Sequence, residues 1–221
     1  MKHLEDVAPA HAVEPLARIL ELQATDPTAS TTVRDPGEAV GRHVADSLTA
    51  LALPVVASAR RIADLGSGAG WPGLALAAAL PDAHVWLIES AIRHCRYLER
   101  AVEVGELANV TVVHARVEEW SGEHDLVTAR ALAALPVLVE YAAPLLPIGG
   151  HFVGWKGAVS PEEAAAGAKA AAIVGLESTA VVPVVPYAGA RDHTLHVFRK
   201  VAETPERFPR RAGMATKRPL A

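Results

Sequence analysis

Apolar and polar positions along this chain follow two periods, with short β-branched runs separated by longer segments of helical spacing. Ile62–Leu65, His84–Glu89, Val110–Ala115, Asp125–Ala129 and His151–Trp155 read as strands. Between them Gly73–Leu80, Ile92–Gly105 and Leu135–Leu146 read as helices, the second with Ile92, Cys95, Leu98 and Val102 on one face. This alternation predicts an α/β fold built on a doubly wound, mostly parallel sheet. Ser160-Pro-Glu-Glu163 forms a capping-box start for an Ala-rich helix running to about Gly175. Two β-rich runs follow, Ser178–Val185 and His193–Val201. The short segment Pro186–Asp192 between them allows a hairpin-like return, so the sheet is expected to end with an antiparallel strand.

A small helical extension precedes this core. Asp35-Pro-Gly-Glu38 reads as a second capping box, followed by a stripe of Val40, Val44, Leu48 and Leu51. One further helix is expected at about Val13–Leu22, and the polar linker Thr25–Thr32 carries no predicted element. Beyond Val201 the segment Pro205-Glu-Arg-Phe-Pro-Arg-Arg211 and Lys217-Arg-Pro-Leu220 lack periodicity and read as an extended or disordered basic arm. The expected organisation is a helical extension over 1–55, a core domain over 56–202 and a basic tail over 203–221.

Composition narrows the class. Hydrophobic residues make up 51% of the 221 positions but aromatic residues only 5%, so the core is built largely from Ala, Val and Leu. No apolar run reaches membrane-spanning length, Met1-Lys-His-Leu-Glu-Asp6 has no signal-peptide pattern, and a single cysteine fits a reducing cytoplasm, the expected location. Cys95 stands alone, which excludes an intramolecular disulfide. A net charge of −4 gives no global attraction for nucleic acid, so any polyanion must be held by a local basic patch. His193 and His196 would face opposite sides of a strand, and the adjacent His94 and Cys95 cannot chelate alone. No metal site is therefore predicted.

The chemistry concentrates in Asp64-Leu-Gly66-Ser-Gly68-Ala-Gly70-Trp-Pro-Gly73, where a strand should become a helix. Alternate glycines let the backbone turn sharply and approach a ligand that a Cβ would push away. Gly68-x-Gly70-x-x-Gly73 also satisfies the dinucleotide fingerprint, in which a pyrophosphate sits on a helix N-terminus. Asp64 argues against that ligand, because a carboxylate repels a pyrophosphate. It suits the ammonium and sulfonium groups of S-adenosylmethionine, and Asp-x-Gly-x-Gly-x-Gly at a strand end resembles the signature of class I methyltransferases. Glu89, ending the next strand, can accept from both hydroxyls of a ribose in either case. Arg130 follows the fourth strand at the carboxyl edge where doubly wound folds bind ligands.

A narrower resemblance covers about Thr32 to Leu220. Arg34-Asp-Pro-Gly-Glu38, Arg42-His-Val-Ala-Asp46-Ser47 and the glycine loop are similar in order and spacing to the RsmG (GidB) family of 16S ribosomal RNA guanine-N7 methyltransferases. Ala115-Arg-Val-Glu-Glu119, Thr128-Ala-Arg130-Ala131, Pro147-Ile-Gly-Gly150, Trp155-Lys156-Gly157 and the Phe208–Leu220 ending continue the likeness. The resemblance implies a Rossmann-like methyltransferase domain, S-adenosylmethionine as cofactor, and 16S ribosomal RNA or a small-subunit assembly intermediate as partner. It implies that Gly66 and Trp71 contact the cofactor and that Val117 and Glu118 frame its adenine. Trp71 could equally be loop packing, and Glu118 a solvated turn residue. Arg42 and His43 would line the RNA-facing mouth, or else bond a neighbour such as Asp46. Arg130, Lys156, Arg93, Arg210 and Arg211 are candidates for holding phosphates or the target base, Lys156 being as readily a structural salt bridge.

Methylation at guanine N7 needs no general base, because that nitrogen has a lone pair and no proton to lose. Catalysis then reduces to alignment, and no catalytic acid or base is assigned. The chain departs from the family in a short N-terminal extension without the usual aromatic and lysine pattern, and in three further places. Ala29-Ser-Thr-Thr32 stands where many members have Tyr-Asn-Leu-Thr, Ile92-Arg93-His94 where Gly-Lys-Arg is common, and Asp192-His193 where Arg-His is common. These changes leave open a methyltransferase of another RNA or a small molecule. A non-catalytic RNA-binding assembly factor with a retained cofactor pocket also remains open.

Overall fold

The computed structural model describes residues 3–221. Seven strands form one sheet: β1 (Arg61–Leu65), β2 (His84–Glu89), β3 (Val110–His114), β4 (Leu126–Arg130), β5 (His151–Lys156), β6 (Leu176–Pro183) and β7 (Thr194–Lys200). Their order is β3-β2-β1-β4-β5-β7-β6. β1 to β5 pair in parallel, whereas β7 is antiparallel to both β5 and β6. The doubly wound sheet with an antiparallel end is thus the one the apolar pattern predicts. β4 begins one residue later than expected, because the Asp125 carboxylate turns back to accept from the Arg60 and Arg61 amides at the start of β1.

Helix α1 (Ala10–Thr25) extends beyond the expected segment at both ends. Helix α2 (Pro36–Ala39) continues through a π-helical turn at Val40–Ala45 into α3 (Asp46–Leu48) and a 3₁₀ turn at Thr49–Ala52. Then come α4 (Pro54–Ala57), α5 (Gly73–Ala79), α6 (Ile92–Gly105), α7 (Leu135–Ala142), α8 (Pro161–Ile173) and α9 (Met214–Lys217). The helix expected over Leu135–Leu146 ends early, since Pro144 has no amide to continue the hydrogen-bond ladder and Ala143–Leu145 tightens to 3₁₀. Both N-caps form: Asp35 accepts from the Glu38 amide at 2.7 Å and Ser160 from the Glu163 amide at 3.2 Å. Neither box closes reciprocally. Glu38 pairs with Arg42 and Glu163 with Lys156, so tertiary partners take both carboxylates.

Two apolar layers flank the sheet. Leu16 and Ile19 of α1 join Leu74, Leu76 and Leu98 against Ile62, Val85 and Leu87 on one face. Leu138 and Val139 of α7 pack with Ala63, Leu65, Ile88, Val127 and Phe198 on the other. In α6 Cys95 and Leu98 are buried, whereas Ile92 at its first turn is exposed. The tail is not the free arm that its composition suggested. Phe208 and Ala215 are buried in the second layer, and α9 packs on α7. An ion pair explains the difference: Glu140 of α7 is fully buried, and Arg210 reaches it with two bonds of 2.8 and 2.6 Å. Among the described residues no helix is long and apolar enough to cross a membrane.

Candidate functional site

The sheet's order reverses between β1 and β4, whose connections leave on opposite sides. Such a switch point opens a crevice at the carboxyl ends of the strands. A cleft of about 720 Å³ lies there, lined by Gly66, Ser67 and Gly68 after β1, Glu89 at the end of β2, and Arg130 at the end of β4. Ser30, Thr31 and Thr32 of the linker close its other side. Gly66, Gly68 and Gly70 all adopt positive φ, at 64°, 55° and 96°. The left-handed φ favours glycine at each of these positions, and at Gly66 a Cβ would also have to displace Leu132 Cδ1, 2.5 Å away.

Glu89 organises the turn from below. Its Oε2 accepts from the Gly68 amide at 3.0 Å and its Oε1 from the Ala91 amide at 2.7 Å. Ser90 Oγ and His94 Nδ1 also approach Oε1, at 3.4 and 3.7 Å, so of the carboxylate's about four lone-pair sites the one left open is on Oε2 beside Gly68. Asp64 lies deeper than a direct ligand would. It is fully buried under the loop and does not line the cleft. Its Oδ1 accepts from Thr128 Oγ1 at 2.9 Å across the β1–β4 ladder, and its Oδ2 has no hydrogen-bond partner. Burial raises its pKa to about 6, partly countered by hydrogen bonding from Thr128 and Ser67, by the charge of Arg130 and by the Gly73 backbone. An ionised, half-unpartnered carboxylate below a glycine loop favours a cation above it. On this count the cleft fits S-adenosylmethionine better than a dinucleotide.

Trp71 is buried, and His43 stacks on it at 5.6 Å between ring centroids. The indole N–H donates to Gln23 Oε1 at 2.7 Å, and Gln23 Nε2 donates to the Val33 carbonyl. Gln23 therefore ties α1, the linker and the glycine loop together. Sequence reading missed it, although a glutamine on the buried stripe of Leu16, Ile19 and Leu20 was the available signal. Arg34 completes the linker, donating to the Gln23, Asp26 and Ala29 carbonyls. The segment left without an expected element is ordered by these bonds.

A second hollow of about 370 Å³ adjoins the cleft and shares Val33, His43, Arg130 and Ala131 with it. Its other walls include Asp46, Trp155, Lys156, Tyr187 and His193. Asp46 is its hub, accepting from Arg130 at 2.8 Å and contacting His193 Nδ1 at 3.0 Å. Arg130 also donates to the Arg42 carbonyl and to His43 Nδ1. A guanidinium only donates, so His43 Nδ1 accepts and its Nε2–H faces Thr31 Oγ1 at 3.0 Å. Burial and Arg130 lower the His43 pKa to about 4, keeping the ring neutral. Lys156 pairs with Glu163 at 2.8 Å and Arg42 with Glu38 at 3.0 Å.

A third hollow of about 210 Å³ continues the cleft past Gly66 and Glu89 to Val117, Glu118, Leu132 and Tyr141. Val117 and Glu118 lie in a 3₁₀ turn after β3. Glu118 accepts from Tyr141 Oη at 3.1 Å and from the Gly213 amide at 2.7 Å, which ties the tail to this end. The structure thus brings Gly66, Gly68, Trp71, Glu89, Val117, Glu118, Arg130 and His43 around adjoining hollows that share lining residues. Gly70 and Asp64 support them from behind. Arg210 is turned away to Glu140, while Arg93 and Arg211 are exposed outside these hollows.

The family model described as rRNA small subunit methyltransferase G matches residues 21–189. The ribosomal RNA small subunit methyltransferase G of Rubrobacter xylanophilus is 43% identical over 196 residues, covering 85% of this chain and 75% of that protein. The Deinococcus radiodurans protein of the same name is 39% identical over 224 residues, covering 97% and 87%. Among solved structures, Aeropyrum pernix fibrillarin with natively bound S-adenosyl-L-methionine superimposes with a TM-score of 0.55 at 21% identity. That match covers 70% of this chain and 72% of the other and shows a common fold.

Proposed function

Because the chain belongs to the rRNA small subunit methyltransferase G family, we propose that it transfers the methyl group of S-adenosylmethionine to N7 of a guanine in 16S ribosomal RNA. The observation that carries this reading is the junction of two cavities at His43 and Arg130. The glycine-lined cleft takes the cofactor, with Glu89 on the ribose, Val117 and Glu118 at the adenine, and Asp64 as a negative charge beneath the cationic end. The cofactor supplies a methyl group already activated on a sulfonium. The chain's own residues hold the base against it.

The second hollow suits a neutral base rather than a phosphate. Each of its cations already has a carboxylate: Arg42 has Glu38, Arg130 has Asp46, and Lys156 has Glu163. Such pairs keep spare N–H groups, so Arg130 and Lys156 can donate to guanine O6 without carrying unbalanced charge. Neutral His43 cannot repel the positive charge that methylation leaves on the base. Phosphates fall instead to exposed arginines outside this hollow. Arg93 and Arg96 project from α6, and Arg116 follows β3 beside Ser90; none has a carboxylate partner among the described residues. Arg211 extends this rim along the tail. The RNA is met in the cytoplasm, as naked 16S RNA or as an assembly intermediate.

Transfer of radiolabelled methyl groups to deproteinised 16S RNA, assembled small subunits and total RNA tests the proposal. Label confined to 7-methylguanine of 16S RNA is the expected result. Purified protein that binds a nicotinamide dinucleotide but not S-adenosylmethionine, or that labels no RNA, overturns it.

A further inference from the structure

Tyr187 lies on the connection between β6 and β7, in the segment Pro186–Asp192, and its ring forms part of the wall of the second hollow. It belongs to neither apolar layer, and among the described residues its hydroxyl has no hydrogen-bond partner. Even so, the ring is firmly placed. It rests on Gly41 of the π-helical turn so closely that a Cβ there would lie 3.1 Å from Tyr187 Cβ. Its edge meets His193, with centroids 5.7 Å apart and planes at 83°. His193 is held by Asp46, the carboxylate that also fixes Arg130. The other large aromatic of this hollow, Trp155, is buried and donates its indole N–H to the Asp46 carbonyl. Tyr187 is therefore the half-exposed π-face of a hollow whose cations are all paired.

We infer that Tyr187 is the stacking platform for the extruded target base, holding it in line with the methyl donor. This rests on the RNA-methylating reading above. Base–aromatic stacking needs a π-face and no hydroxyl, which fits an unpartnered Tyr187 Oη. The same face gains attraction as methylation places positive charge on the base, so the contact strengthens toward the transition state. Two consequences follow, one for binding and one for turnover.

The test compares Tyr187→Ala, Tyr187→Phe and the native protein in methyl transfer to 16S RNA. S-adenosylmethionine affinity by calorimetry and the melting temperature are measured alongside. Tyr187→Ala should lower kcat/KM for RNA about 10- to 100-fold, with both KM and kcat affected, while Tyr187→Phe stays within about threefold of native. Cofactor affinity should not move, and the melting temperature of Tyr187→Ala should stay well above the assay temperature. Native-like kcat/KM in Tyr187→Ala overturns the assignment. So does an equal loss in Tyr187→Phe, or a loss of cofactor affinity in parallel with activity. Failure of the native protein to methylate any RNA overturns the function itself and is read from a different sample.

Discussion

Asp64 and His43 sit on either side of the glycine loop, and burial moves their pKa values in opposite senses to the same end. Both shifts favour the neutral form of the side chain. For Asp64 the rise from 3.8 to about 6 brings its titration close to neutrality. A cation bound above the loop favours the ionised carboxylate, so cofactor binding and Asp64 ionisation are linked. Affinity for S-adenosylmethionine should be flat above pH 7 and weaken as pH falls through 6, by up to about tenfold per unit. Calorimetry between pH 5 and 8 measures this, and Asp64→Asn should remove the dependence. For His43 and His124 the fall from 6.5 to about 4 means that the unfolded chain binds protons which the folded chain refuses. Their stabilising effect is complete above pH 6.5 and disappears as pH drops toward 4. Asp64 runs the other way between 3.8 and 6, but one carboxylate opposes two histidines. Urea unfolding should therefore give lower stability at pH 5 than at pH 7, with a shallower difference in His124→Gln.

At the scale of elements, short segments are held by single long-range polar contacts. The tail from Phe208 to Lys217 depends on Arg210, whose guanidinium neutralises Glu140 inside α7. Removing one partner of a buried ion pair leaves an uncompensated charge. Arg210→Ala should cost about 3–5 kcal/mol in chemical denaturation. Double replacement with apolar residues of similar volume should recover most of it. Gln23 plays the corresponding part at the other end of the chain, joining Trp71 to Val33. Gln23→Leu leaves the indole N–H and the Val33 carbonyl unpaired, so it should weaken cofactor binding several-fold and lower stability by about 1–3 kcal/mol. Calorimetry with the cofactor separates that effect from global unfolding.

At the scale of the whole molecule, a net charge of −4 means that RNA must be held by the distribution of charge rather than its total. Most cations expected from the sequence to meet phosphate are already paired with carboxylates. Of those candidates Arg93 and Arg211 have no carboxylate among the described residues, and Arg96 and Arg116 join Arg93 near the Glu89 end of the cleft. Replacing Arg93 and Arg96 together by Glu should lower methyl transfer to 16S RNA more than about tenfold at physiological salt. It should also reduce the salt slope by roughly 1–2. Cofactor affinity should be unchanged, and Lys169→Glu on the exposed side of α8 should have no effect. Activity measured across a salt series decides this, and an unchanged slope in the double variant removes these arginines from the RNA path.

The order of elements, the strand-to-helix glycine loop and the acid ending β2 were legible in the sequence because each is local. Positive φ requires glycine within a few residues, and a period of two or near 3.6 is written into contiguous positions. Asp64 and Glu89 could be named because strand ends place them at the carboxyl edge in any doubly wound sheet. Which arginines are free was not legible. Arg130 meets Asp46 across 84 residues and Arg210 meets Glu140 across 70, and nothing near either arginine announces its partner. Gln23, Tyr187 and the folded tail were hidden for the same reason. A charge or a polar tip is committed by distance and desolvation in three dimensions, so the cofactor loop belongs to the sequence and the RNA-facing surface to the tertiary structure.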